Sequence, residues 1–228
     1  MFFMVRSDSV FGTKVVGLSE HLRVQGLCLY ERSADLTGGR PISMELAPAP
    51  EMNAPQRLNE ATILLLSTVA GVDAALLRTI ELHPREHNWL RAPWYGGRPG
   101  GAMVLGDRIY LSRALFHAPQ GNDRTLQLQW LLLIAHEVVH VRQAADLRRG
   151  RIGFGLWAAG QYALSFLRNG RHAYSRAAFE VEAEQGRKAL TALLRRTGGI
   201  HGDHQAMRCA RANDLPGMRM WLTEVGAI

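Results

Sequence analysis

His136, Glu137 and His140 sit inside an apolar run, "LLLIAHEVVHVRQ", that spans residues 131–143. Three ionisable groups in such a run are costly unless something pairs with them or coordinates them. Their spacing names the partner. Residues four apart lie about 40° apart around a helix, so His136 and His140 project from one face, one turn apart, and their nitrogens can meet one ion. Glu137 is rotated by about 100° from His136, beside the pair rather than in line with it. From there it can take a proton from a water activated by the metal, the general-base role of an H-E-x-x-H helix. One Zn2+ is the first choice for a two-imidazole site. The chemistry expected of this arrangement is hydrolysis by a metal-activated water.

A catalytic zinc usually has three protein ligands and an open position, so a third donor must come from elsewhere. Asp146 lies six residues after His140, but that geometry needs a glycine where Gln143 stands, in continuing helix. His172 stands alone in a loop. The stretch "AFEVEAEQGRKAL" is richer, with Glu180, Glu182 and Glu184 clustered on a helix. Glu180 and Glu184 share a face, so one can bind metal while the other accepts the free N–H of a ligating histidine. Glu182 points nearer the apolar stripe, and periodicity alone does not eliminate it. For an oxyanion donor, Tyr174, His172 and Tyr162 are the sequence candidates.

These motifs resemble the glutamate-type zincins, or gluzincins, in which H-E-x-x-H is followed one helix later by an E-x-x-A or E-x-x-x-D motif. Glu180-Val181-Glu182-Ala183 matches E-x-x-A, and Glu184 stands where a supporting acid would be. The resemblance implies His136, His140 and Glu180 as metal ligands and Glu137 as base. More narrowly, "GDRIYLS" followed by "LLLIAHEVVHVRQ" is similar to the metallopeptidase domain of bacterial toxins and extracellular contractile injection system proteins (the eCIS-core family), and this implies a bacterial effector or toxin-associated protease. The likeness covers about residues 102–190. It departs in Arg142-Gln143, where that family more usually has two glutamines, and in the forty residues from His140 to Glu180. It also implies that a strand in "AMVLGDRIYLS" holds an extended peptide substrate beside the helix.

The elements that must position these groups follow from pattern. Asn122 or Asp123 caps a helix running from Leu126 to Leu147, which Gly150 stops. "QRLNEATILLLSTVAGVDAALL" is helical with a break at Gly71. "AMVLGDRIYLS" reads as a hairpin turning at Gly106-Asp107, where glycine first in a two-residue loop suits a type II′ turn. A helix covers about 152–168, and another starts at Ser175 as N-cap and ends near Arg196. The fold class is α+β and mostly helical; the resemblance makes it a zincin-like domain with a small β-hairpin or sheet beside the active-site helix. Residues 1–50 form a β-leaning N-terminal segment, 51–199 the zincin-like domain and 200–228 a helical tail. The tail resembles a single ankyrin-type unit. One such unit cannot bury its own face, so a helical segment packed on the domain is the preferred expectation.

The chain has 228 residues, 47% hydrophobic and 21% charged, which calls for a packed core. Its formal charge of +7 raises nucleic acid or an acidic surface as a partner. Nearly all the basic residues are arginines, and they are scattered rather than gathered in a stripe, so nucleic acid is not expected as a partner; a peptide or protein substrate is what the resemblance implies. Cys28 and Cys209 have no metal-type spacing and are expected as buried free thiols. Residues 63–77 and 152–167 are apolar but fall short of a membrane span, and both are expected as buried helices. The opening "MFFMVRSDSVFG" is no signal peptide, so synthesis in the cytoplasm is expected, with specialised export needing no such signal. The alternative to an enzyme is a zincin-like module that keeps metal without turnover and serves in protein–protein targeting or assembly.

Overall fold

The computed structural model describes residues 54–85 and 102–228. The β-leaning expectation for residues 1–50, and Cys28 with it, lies outside the described residues. The fold is α+β and mostly helical, with one small mixed sheet among the described residues.

The first helix, α1 (Glu60–Ala70), is capped by Asn59, whose side chain accepts from the Thr62 amide, and ends at Gly71 in the left-handed region. Asp73 then caps α2 (Ala74–Thr79). The sheet follows: β1 (Glu81–Arg85), β2 (Ala102–Leu105) and β3 (Arg108–Ser112), in the order β1-β3-β2. β1 pairs parallel with β3, while β2 and β3 form the expected hairpin with Leu105 opposite Arg108. Gly106 has a φ of +66° and Asp107 is not among the positive-φ residues, the combination a type II′ turn requires.

After a short α3 (Arg113–Phe116), Asp123 accepts from the amides of Thr125 and Leu126 and starts α4 (Arg124–Leu147). This helix ends one residue pair before Gly150, because Arg148 itself takes the left-handed conformation. Gly150 instead opens α5 (Gly150–Asn169). A single turn, α6 (Ala173–Arg176), precedes α7 (Ala178–Arg196). The expected N-cap at Ser175 is therefore not found: the helix begins after Ala177, which is extended and makes no side-chain cap. The tail forms α8 (Gln205–Ala212) and α9 (Leu215–Glu224), joined by Asn213 in the left-handed region. Both pack on α1, and Met207, Cys209, Met218 and Trp221 join the same core as Leu65 and Leu66.

Helix α4 runs through the centre of this core and touches α1, α5, α7 and β2. Its closest neighbour is α7, and Gly186 is the reason. A methyl group there would overlap the backbone oxygen of Ala135 on α4. A glycine inside a helix costs about 1 kcal/mol relative to alanine; here it lets two backbones approach and brings the first turn of α7 up to the histidines of α4.

No helix among the described residues is long and apolar enough to cross a membrane. The expectation that residues 152–167 are a buried helix is corrected. Only one face of α5 is buried, through Phe154, Ala158, Tyr162 and Ser165, while Ile152, Leu156, Leu164, Phe166 and Leu167 are exposed. An uncharged helix gives no polar stripe by which sequence could mark its outer face.

Candidate metal centre

Helix α4 carries His136, Glu137 and His140 as buried side chains, each less than 10% exposed. Glu180 comes from the first turn of α7, where the helix dipole favours a carboxylate, and it is as deeply buried. The structure brings His136, His140 and Glu180 together. The two imidazole Nε2 atoms are 3.2 Å apart. The Glu180 carboxylate lies 3.4 Å from His136 Nε2 through Oε2 and 3.5 Å from His140 Nε2 through Oε1.

These separations test whether a metal fits. Four ligands at about 2.0–2.1 Å from a tetrahedral ion lie about 3.3–3.4 Å from one another. The separation of the two imidazole nitrogens and the distance from each to its nearer Glu180 oxygen are of this length, the latter two ending on different carboxylate oxygens, and one donor atom from each of the three residues lies within 4.8 Å of the others. Glu180 Oε2 is also buried with no hydrogen-bond partner, a costly state that a cation removes.

The groups around the donors fix which atoms face the centre. Gln143 Nε2 donates to the Phe179 carbonyl at 3.0 Å and to Glu182 Oε2 at 2.7 Å, so its Oε1 is the atom 2.8 Å from His140 Nδ1. His140 must then carry its proton on Nδ1, and its Nε2 lone pair is turned toward the other two donors. Tyr162 donates its hydroxyl to Glu180 Oε1. Glu182, left open as a third ligand by periodicity, is occupied by Gln143 and by Arg142, whose guanidinium is 2.6 Å away. Glu184 is gripped at both oxygens by Arg187, at 2.9 and 2.6 Å, and stands 3.7 Å from His136 Nδ1.

Electrostatics follow from this packing. Burial alone would lower the His136 pKa, but Glu180 and Glu184 outweigh it and raise the imidazole to about 9 in the metal-free protein. Burial pushes Glu180 and Glu184 up, yet His136, with His140 in the first case and Arg187 in the second, holds Glu180 well below the carboxylate range and Glu184 at about 2. Glu137 goes the other way: its burial raises the carboxyl, only partly offset by the two histidines.

The donors and Glu137 line a cavity of about 70 Å³, walled by β2 residues 102–105, by Phe154, Gly155, Ala158 and Tyr162 of α5, and by Phe179. That is room for an ion with a few waters. β2 is the sheet's edge on this side and pairs only with β3 among the described residues.

The remaining sequence candidates are not brought to the centre. Asp146 is exposed near the end of α4. His172 is exposed on the turn after α5 and does not line the cavity. The side chain of Tyr174 lies outside the described ones. Tyr162 reaches the site, but on Glu180 rather than as a free oxyanion donor. Sequence reasoning missed Gln143 as the partner of His140; its position three residues on, on the same helical face, was the available signal.

No family model matches the chain, and no curated protein or solved structure shows significant similarity to it.

Proposed function

We propose that this chain is a zinc-dependent metallopeptidase that hydrolyses peptide bonds, with His136, His140 and Glu180 as the metal ligands and Glu137 as general base. The observation that carries the reading is the buried cluster of His136, His140 and Glu180, with the two Nε2 atoms 3.2 Å apart and each 3.4–3.5 Å from a Glu180 oxygen, lining a cavity that Glu137 also lines. Two imidazoles and one carboxylate are a zinc donor set. When bound, the ion supplies a Lewis acid that polarises a carbonyl and acidifies water at neutral pH.

The chain's own residues do the rest. Glu137, whose buried carboxyl tolerates a proton better than an exposed one, takes the proton of the attacking water and passes it to the leaving amine as the C–N bond breaks. Gln143 keeps His140 in the ligating tautomer, and Tyr162 steadies Glu180. The edge of β2 beside the cavity, which has no partner strand among the described residues, suits an extended peptide, which adds as a strand through backbone hydrogen bonds. The likeness to gluzincin and eCIS-core motifs, carried by "AHEVVH" and Glu180-Val181-Glu182-Ala183, supports the same assignment and the role of a bacterial effector protease.

The test is Glu137→Gln, assayed on a quenched-fluorescence peptide library with metal content measured in parallel. Loss of cleavage by about 10²–10⁴-fold with zinc retained is the expected outcome. Unchanged biological activity in that variant would instead identify a metal-holding module that works in targeting or assembly.

A further inference from the structure

The outer face of α5 is apolar and open to solvent. Ile152 is 81% exposed, Leu156 71%, Phe166 62% and Leu167 82%, with Leu164 beside them. These side chains fall on one side of the helix, with Ala159, Gly160 and Ala163 between them. From residue 152 to residue 167 the helix has no charged side chain, a length of about 24 Å at about 1.5 Å per residue. Soluble surfaces rarely leave such a continuous apolar strip unless something binds it.

The charges at its ends say what. Arg148 and Arg149 flank the N-terminal end and Arg168 the C-terminal end, all exposed. None of these three has an ion pair among the described residues, whereas Arg151 is held by Asp107. The helix contains no Asp or Glu. A second copy of the chain is therefore a poor occupant. Parallel pairing of two α5 faces sets Arg149 against Arg149, and antiparallel pairing sets Arg148 and Arg149 against Arg168. An anionic lipid surface has the opposite character: its acyl region takes the leucines, and its phosphates meet arginines at both ends. The formal charge of +7 acts in the same direction at longer range.

We propose that the outer face of α5 docks on the surface of an anionic lipid bilayer, lying in the interface rather than crossing it. The opposite face of the same helix, through Phe154, Ala158 and Tyr162, walls the candidate metal centre, so docking sets that centre next to the membrane. The inference uses nothing of the metal chemistry and holds or fails separately from it.

Vesicle co-sedimentation of the full chain tests it, with vesicles of phosphatidylcholine alone and of phosphatidylcholine mixed with phosphatidylglycerol. The chain is expected to sediment with the anionic vesicles and far less with the neutral ones, equally with and without chelator. Leu156→Gln with Leu167→Gln weakens partition by roughly tenfold or more. Arg149→Gln with Arg168→Gln weakens it by roughly fivefold per arginine. All four positions are exposed, and circular dichroism checks that each variant keeps its fold. Failure to bind either vesicle, equal binding to both, or binding that survives both pairs of substitutions overturns the proposal. So does a concentration-dependent dimer in sedimentation equilibrium that the leucine substitutions abolish, which assigns the face to a second copy.

Discussion

Replacing Gln143 by leucine removes one acceptor from the candidate metal centre without touching a ligand. In the native protein Gln143 Oε1 accepts from His140 Nδ1 at 2.8 Å, in a region where both side chains are less than 10% exposed. Leucine fills a similar volume but leaves that N–H buried and unpaired whenever Nε2 is free to ligate, at a cost of about 1–3 kcal/mol. The metal-free protein avoids the cost by moving the proton to Nε2; the metal-bound form does not have that choice. The penalty therefore falls on binding, and zinc affinity should drop by roughly 5- to 150-fold, overlapping the 10- to 100-fold typical of groups that orient a ligating histidine. Competition against a chelating dye measures the affinity, and a thermal melt of the metal-free protein measures the separate effect of losing the bonds to Phe179 and Glu182. A variant whose melting point falls while its zinc affinity stays within twofold of the native value would refute the reasoning and leave Gln143 with a packing role only.

Gly186→Ala should destabilise by about 1–3 kcal/mol despite the better helix propensity of alanine, because the new methyl meets the Ala135 carbonyl. A lower thermal midpoint checks this, and zinc affinity should fall with it as α7 carries Glu180 away from α4. In the metal-free protein His136 sits at about 9 against about 6.5 unfolded, so its contribution is complete below pH 6.5 and lost as pH rises through 9. Metal-free stability should therefore decline over that window by on the order of 3 kcal/mol, read from urea melts. Zinc binding at pH 7 should release about one proton, measured by calorimetry in two buffers of different ionisation heat. No proton release at pH 7 would contradict the raised imidazole.

Much of the frame was legible because local chemistry fixes it. Asp123 has one good use at a helix start, Gly71 one at a helix end, and Gly106-Asp107 one between two short strands. β1 was not legible. "ELHPR" has no clear alternation and contains Pro84, which a strand tolerates because β1 lies at the sheet's edge, and its pairing is with a strand more than twenty residues away. The start of α7 was misplaced because Ser175 belongs to a separate turn.

The site divides in the same way. His136, Glu137 and His140 follow from spacing within one helix. Choosing among Glu180, Glu182 and Glu184 needed tertiary partners: Arg142 and Gln143 occupy Glu182, Arg187 occupies Glu184, and Tyr162, eighteen residues upstream, reaches Glu180. The exposed face of α5 was hidden for a different reason. Both sides of that helix are apolar, so its sequence cannot tell the side that packs from the side left open.

The central claim is that His136, His140 and Glu180 hold one divalent ion. Elemental mass spectrometry on purified protein, after incubation with zinc and removal of excess, tests it most directly, with His140→Ala and Glu180→Ala alongside. The account predicts close to one zinc per native chain and a large loss in each variant. A native protein that stays metal-free, or variants that keep a full complement, would contradict it.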